Sequence, residues 1–397
     1  MIYLDNAATT PMHPEVIEAM TRSFREDYAN SGVVYRAGLD ARRKIEYLAE
    51  QIADLLRVPA THRILFTSGA SESNNLFIKG LCFPDKKVAS LGLEHPSIRA
   101  TLDYLSSLGN PPVPLREFQT EGRLGFEGLK ILQQNRVRLL CLSHVNNELG
   151  SVNEPASVVE AIRKEAPQVR LFLDGAQAVG KLPVAIKAWP GISGYSASAH
   201  KFQGPKGIGL LILDGRLSLT PQIHGGKQQY GVRSGTLPTP LIVGLAEALK
   251  IAVREEGANR DLYIKLTRRL VDGLKSLSQT TSGLKVRFNS LAGIDLDRQS
   301  PAIVNFSFPP VEGEVLLHHL EEQGIYVGLG SACSAHSKEP SQILTGIGLS
   351  EEEAYCSLRI SFGPQNTLAE VDRFLDRFAK AYDSLLPVFR ERKVLRK

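Results

Sequence analysis

The chain has 397 residues, of which 43% are hydrophobic and 22% charged, and a formal net charge of +5. That length suits two domains, and that composition excludes a disordered or fibrous protein. Lys and Arg are scattered among nearly as many acids, so no nucleic-acid surface is indicated. The basic run Arg390–Lys397 reads as a solvated, frayed terminus, with a docking surface for an acidic partner as the alternative. Cys82, Cys141, Cys333 and Cys356 share no C-x-x-C spacing, which argues against a zinc ribbon or a thioredoxin-type site and fits a reducing compartment. Met1 leads directly into Ile2-Tyr3-Leu4-Asp5 without a signal-like n-region. No apolar stretch approaches the roughly 20 residues of a membrane span. The expectation is a cytosolic protein with no membrane partner and no metal.

From about Arg63 to Leu213, apolar runs alternate with helical or loop segments: Arg63–Thr67, Lys87–Ser90, Leu139–Ser143, Arg170–Asp174, Tyr195–Ser198 and Ile208–Leu213. They are Ile-, Leu- and Val-rich without polar alternation, the signature of strands buried on both faces of a mostly parallel sheet in an α/β fold. Beyond about Pro240 the pattern changes. A helix at Pro240–Val253 leads to the charged segment Glu255–Asp261, then a helix near Leu262–Leu277 and a strand at Ile303–Phe308. A helix at Glu312–Gln323 and strands near Ile325–Gly328 and Ser357–Phe362 follow. Thr367 and Glu370 form a capping box before a last helix whose Leu368, Val371, Leu375, Phe378 and Tyr382 share one face. This reads as a second, smaller α+β domain. The strand Ile2–Leu4 fits either domain on pattern alone.

The polar motifs follow the strands, at the carboxyl edge where open α/β sheets bind ligands. Thr67-Ser68-Gly69-Ala70-Ser71-Glu72-Ser73-Asn74-Asn75 opens a helix whose free amides suit a phosphate, though a turn and a cap would read the same way. Its spacing matches neither nucleotide-loop fingerprint. His95 follows Glu94 and Asn147 lies in His144-Val145-Asn146-Asn147-Glu148; a structural histidine and a turn are the plain alternatives. Asp174-Gly175-Ala176-Gln177 ends a strand on a carboxylate, with an amide three residues on that could grip an adjacent edge of the same ring. Ser198-Ala199-His200-Lys201 ends another. An Asp and a Lys at successive strand ends suggest a Schiff-base lysine opposite a pyridinium partner. Cys333, in Gly330-Ser331-Ala332-Cys333-Ser334-Ala335-His336-Ser337, sits among small polar residues, unlike Cys82 and Cys141, and has the setting of an exposed nucleophile or of a plain loop cysteine. Arg359, a charge inside an apolar strand, needs an anionic partner, for which a substrate carboxylate is suited.

Taken in order, these motifs resemble the cysteine desulfurases of the class V aminotransferase group, within the fold-type I pyridoxal-phosphate enzymes. The resemblance runs from Tyr3-Leu4-Asp5-Asn6-Ala7-Ala8-Thr9-Thr10-Pro11 through the motifs above and Arg233-Ser234-Gly235-Thr236 to Arg359-Ile360-Ser361-Phe362-Gly363. It implies that Lys201 carries pyridoxal 5′-phosphate, Asp174 holds the ring nitrogen protonated, Gln177 bonds the ring hydroxyl and His95 stacks on the ring. Ala70, Ser71, Ser198 and His200 would bind the phosphate, helped by Thr236 from the other subunit of a homodimer. Asn147 and Arg359 would take the carboxylate of L-cysteine. Cys333 would attack its sulfur, hold it as a persulfide on a long mobile loop and pass it to an acceptor such as an iron–sulfur scaffold protein. The implied large domain spans residues 15–255, and the small one residues 1–14 plus 256–397.

The chain departs from that family at Tyr28–Tyr35, where a Gly-Asn-Pro-Ser-Ser-x-x-His type of run is usual, and at Gly225–Tyr230, before the Arg-Ser-Gly-Thr. Ser71 stands for a common Thr and Ala199 for a common Gly. A selenocysteine lyase or an aminotransferase would share the cofactor residues, but transamination needs no thiol at Cys333. A silent scaffold of cluster assembly would not need Lys201, Asp174 and Cys333 intact.

Overall fold

In the computed structural model, which describes residues 1–81, 86–290, 298–329 and 339–395, the largest sheet has seven strands. In spatial order they are His62–Thr67, Gly209–Asp214, Ile192–Ser198, Arg170–Asp174, Val137–Ser143, Lys87–Ser90 and Val113–Pro114. The last five run parallel, and Gly209–Asp214 is antiparallel to both its neighbours. Val113–Pro114 closes one edge, where a proline costs no ladder bond. Pairing of Ser143 with Asp174, Asp174 with Ser196, and Gly209 with both Ser198 and Thr67 brings five chain segments to one edge of the sheet.

One hydrophobic core runs from Val16 to Ala252, with helices covering both sheet faces. A second joins Ile2 and Leu4 to residues between Tyr263 and Phe389. There Ile303–Ser307 lies between Arg287–Phe288 and Ser357–Ser361 in an antiparallel sheet. Ile2–Leu4 pairs in parallel with Ile325–Val327, which settles the partner that pattern alone left open.

Two expectations are corrected. The charged segment Glu255–Asp261 is not a separate link: the helix begins at Glu256 and runs to Thr280, its charges lying on the solvent side of an amphipathic cylinder. The basic tail is not frayed over most of its length, because the final helix spans Leu368–Leu395. The capping box at its start is present, with Glu370 N–H donating to Thr367 Oγ1 and Thr367 N–H to Glu370 Oε2. Among the described residues no helix is long and apolar enough to cross a membrane.

Glycine governs one close approach beside the sheet edge. A Cβ on Gly175 would overlap the ring of Tyr195, whose hydroxyl meets His144 Nδ1 at 2.9 Å. Gly175→Ala should therefore lower the unfolding free energy by about 1–3 kcal/mol, the usual range for overpacking a filled interior. Urea denaturation checks this, and a midpoint equal to wild type would contradict the packing described.

Candidate active site

Strand ends, helix starts and the N-terminal segment enclose a cavity of about 620 Å³. Ten of the residues singled out from sequence line it: Ala70, Ser71, His95, Asn147, Asp174, Gln177, Ser198, His200, Lys201 and Arg359. Thr236 does not. It lies exposed on a separate groove of about 550 Å³ with Tyr230, Phe66 and Arg63. Cys333 and Cys82 fall outside the described residues, and Cys141 and Cys356 are buried free thiols.

Asp174 ends its strand buried and bonded. Its Oδ2 accepts from Asn74 Nδ2 at 2.8 Å and its Oδ1 from the Ala176 amide at 2.9 Å. Asn74 also receives Ser196 Oγ at 2.7 Å and donates to Ser97 Oγ at 2.9 Å. Ser97 in turn meets His95 Nδ1 at 2.9 Å, and its amide donates to the same nitrogen at 3.1 Å. His95 thus caps the helix Pro96–Ser107, whose proline occupies the first turn, where no amide is needed. With Nδ1 accepting, the neutral ring carries its proton on Nε2. Burial holds His95 below the usual histidine range; the field of Asp174 opposes this, and Lys201 and Arg99 add to it.

Lys201 Nζ donates to the backbone carbonyls of Ala7, at 2.6 Å, and Ala8, at 2.8 Å. Gln177 Nε2 donates to the same Ala7 oxygen at 2.8 Å, and Lys181 Nζ donates to Gln177 Oε1 at 2.6 Å. His200 stands beside Thr9, 3.1 Å from its hydroxyl. Burial first, then Lys201, Lys206 and Lys181, push His200 down to about 4, so its ring is neutral.

At one end of the cavity Gly69, Ala70 and Ser71 open the helix Ala70–Leu81 beside Ser198 and Lys206. These free amides, hydroxyls and a cation suit an anion. The adjoining Glu72 takes the Arg233 guanidinium in two bonds, at 2.8 and 3.2 Å, and so fixes the loop that carries Thr236.

At another end Arg359, 2% exposed, donates to Asp5 Oδ1 at 2.6 Å and to the Asn147 carbonyl at 2.9 Å. The anionic partner that a buried arginine requires is thus already present in Asp5. Even so, Arg359 Nε and Asn147 Oδ1 are buried with no partner among the described residues. Glu148 accepts from Ser341 Oγ at 2.5 Å, which ties the short helix Gln342–Gly346 to the cavity wall. Burial pushes the carboxyls of Glu148 and Glu94 up to about 7.

The sequence profile of the Aminotransferase class-V family matches residues 2–374. Cysteine desulfurase IscS of Vibrio cholerae serotype O1 (strain M66-2) is 37% identical over 393 residues, 97% of this chain and 93% of its own length. The chain belongs to the cysteine desulfurases of the aminotransferase class-V family. A solved NifS-like protein superposes on this desulfurase with a TM-score of 0.85 at 30% identity, covering 96% of this chain and 98% of its own. The structure of SspA in complex with cysteine does so with a TM-score of 0.77 at 31% identity, covering 92% and 100%.

Sequence reasoning gave no role to Asn74, Ser97, Glu148, Lys181 or the Ala7 and Ala8 carbonyls of this desulfurase. Asn74 carried a signal, standing one helical turn beyond Ala70 and so on the same face. Two alanine carbonyls carry none.

The two raised carboxyls set a pH dependence. A folded-state pKa near 7 against about 4.5 unfolded means that the native state binds more protons across that interval. The contribution of these two groups to stability is then fully present below about pH 4.5 and declines as pH rises towards 7, by at most about 1.4 kcal/mol per pH unit and group. The lowered histidines His200 and His95 contribute in the opposite sense. Glu94→Gln should flatten that decline in urea unfolding followed from pH 5 to 7. A slope as steep as wild type would place the effect elsewhere.

Proposed function

We propose that the protein binds pyridoxal 5′-phosphate in this cavity, takes sulfur from L-cysteine onto Cys333 as a persulfide, and passes it to an acceptor protein. The observation that carries this reading is the gathering of Lys201, the bonded Asp174 and a neutral His95 in one cavity that Arg359 and Asn147 also line. The donor set fits the group: an anion-binding helix start beside Lys206, a carboxylate at the strand end, a flat neutral ring and the strand-end Lys201. Asp174 would hold the ring nitrogen, Gln177 the ring hydroxyl, His95 one ring face, and Ala70, Ser71, Ser198 and His200 the phosphate. When bound, the cofactor supplies an electron sink that stabilises negative charge at the substrate Cα.

The chain's own groups do the rest. Arg359 Nε and Asn147 Oδ1 face the need of a ligand that brings both an anion and a donor, as the carboxylate and amine of an amino acid do. One of the similar structures holds cysteine. Lys201 would carry the cofactor and, once released, hold the proton taken from Cα. The Cys333 thiolate attacks the substrate sulfur: an S–S bond forms, the Cβ–S bond breaks, and the electron pair left on carbon is protonated, so that alanine leaves. The acceptor, such as an iron–sulfur scaffold, then attacks the outer sulfur and regenerates the thiol.

Incubation of the holoenzyme with cysteine should add the mass of one sulfur atom to the peptide containing Cys333. Cys333→Ser should bind cofactor yet form no persulfide, and Lys201→Ala should lose both the borohydride-reducible attachment and turnover. Alanine production by Cys333→Ser at the wild-type rate would sink the nucleophile assignment.

We further propose a homodimer in which Thr236 serves the partner's phosphate site. The support is its exposed place outside the cavity of its own chain, on a groove shared with Asn30, Ser31 and Tyr230. Cofactor binding that needs both subunits stabilises the dimer by mass action. Sedimentation across a dilution series should give tighter association with pyridoxal phosphate than without it. A dilute monomer that binds cofactor as tightly as the dimer would rule this out.

A further inference from the structure

Asn74 stands near the start of the helix Ala70–Leu81 with none of its surface exposed. Asparagine is a weak helix former, because its amide competes for nearby backbone groups. Here the amide reaches away from its own helix and bonds three side chains, each on a different element. They are Asp174 at the end of Arg170–Asp174, Ser196 in Ile192–Ser198 and Ser97 in the helix Pro96–Ser107.

Chemistry fixes the direction of each bond. An ionised carboxylate can only accept, so the Asn74 nitrogen faces Asp174 Oδ2, at 2.8 Å. The Asn74 oxygen then turns to Ser196 Oγ, which donates to it at 2.7 Å. The second N–H goes to Ser97 Oγ at 2.9 Å. A serine hydroxyl has one hydrogen, and with the Ser97 oxygen accepting from Asn74, that hydrogen is left for His95 Nδ1, 2.9 Å away. Of the two side chains that can donate to Asp174, Asn74 is the closer, since Ser196 Oγ lies 3.5 Å from Oδ1, too long for a good O–H···O bond. Asp174 and His95 both line the cavity and Asn74 does not, so Asn74 acts on the cavity through those two groups.

We propose that Asn74 is a positioning residue: it aims the Asp174 carboxylate at the ring nitrogen of the cofactor and, through Ser97, holds the His95 ring over the face of the same ring. Groups ordered in advance spare the binding step the entropy of fixing them. The inference rests on the reading that pyridoxal phosphate occupies this cavity.

The test measures the pyridoxal phosphate affinity of the full-length protein from its visible band, independently of turnover. Asn74→Leu, close in size but unable to donate, should weaken binding about tenfold, the loss of one hydrogen bond to a charged group. In an Asp174→Ala background the same change should cost less than about threefold, because its principal target is gone. Ser97→Ala cuts only the branch to His95; it should weaken binding by itself and add nothing to Asn74→Leu. A side chain that merely filled space would lower affinity by the same factor in every background. Thermal melts establish that each variant folds. Should Asn74→Leu not fold, Ser196→Ala replaces it, since that change releases the amide from the hydroxyl that turns its N–H to Asp174; the same dependence on the carboxylate is expected. A factor undiminished in the Asp174→Ala background, or a full further loss on adding Ser97→Ala, overturns the proposal. Wild-type protein that takes up no pyridoxal phosphate overturns both this inference and the reading beneath it, whereas uptake with independent factors overturns this inference alone.

Discussion

Burial of the Arg359 guanidinium against Asp5 is the constraint on which the site's architecture depends. An arginine that cannot be deprotonated and is nearly sealed from water must meet a carboxylate, and losing that partner costs several kcal/mol. The partner comes from the opposite end of the chain, 354 residues away. Once Asp5 is held there, the segment that follows has little freedom. Asn6 and Ala7 bond the strand of Ser361, Ala7 and Ala8 turn their carbonyls to Lys201, and Thr10 bonds the carbonyl of His200. One short stretch thereby joins the core built on Ser357–Ser361 to the loop that carries the lysine.

The site's electrostatics follow from how each charge is accommodated. Asp174 receives two donors and Arg359 receives Asp5, so both sit buried with partners in place. Around them several titratable groups are moved towards neutrality by burial. His95 and His200 lie below their usual range, Glu94 and Glu148 are raised, and Lys181 is lowered. A cavity wall of this kind concentrates the field of its few fixed charges, because neutral neighbours screen them less than water does. It also places several proton-exchanging groups near pH 7, as proton transfer at a carbon acid requires.

The parts of this arrangement visible in the sequence were those that repeat a local rule. Strands buried on both faces produce continuous apolar runs, and ligand residues of an α/β sheet follow the strand ends, so Asp174, His95, Lys201 and the Gly69–Ser71 helix start stood out as candidates, while their roles came from the family resemblance. Lys181 could not. It stands seven residues past the strand-end Asp174, among alanines, a valine and a glycine, where a lysine reads as an exposed helix residue. The small cavity it lines is shared with Lys201, Tyr263 and Phe362, all distant in sequence. The work of Ala7 and Ala8 is equally invisible, because a backbone carbonyl carries no side-chain signature. The helical start at Glu256 was missed for the opposite reason: a dense run of charges hides the apolar face that begins at Tyr263.

The ends of the segment that contains Cys333 bear on its assignment. On one side Gly328 exchanges both backbone bonds with Arg359, at 2.8 and 3.0 Å. On the other Ser341 is bonded to Glu148, and Arg99 meets Gln342 on the next residue. Arg359 and Glu148 both line the cavity. The bridge at Ser341 is further braced by Leu149, Ile343, Leu344 and Leu349, which form a small apolar cluster of their own. Five residues separate Gly328 from Cys333, and five residues of extended chain span at most about 18 Å. Cys333 thus stands five positions along the chain from a residue bonded to the cavity-lining Arg359. Of the two described cysteines, Cys141 lies inside a central strand, and Cys356 is sealed beside the antiparallel sheet. A thiol that must reach a substrate and then an acceptor needs exposure, and the packing around Cys141 and Cys356 denies it to both.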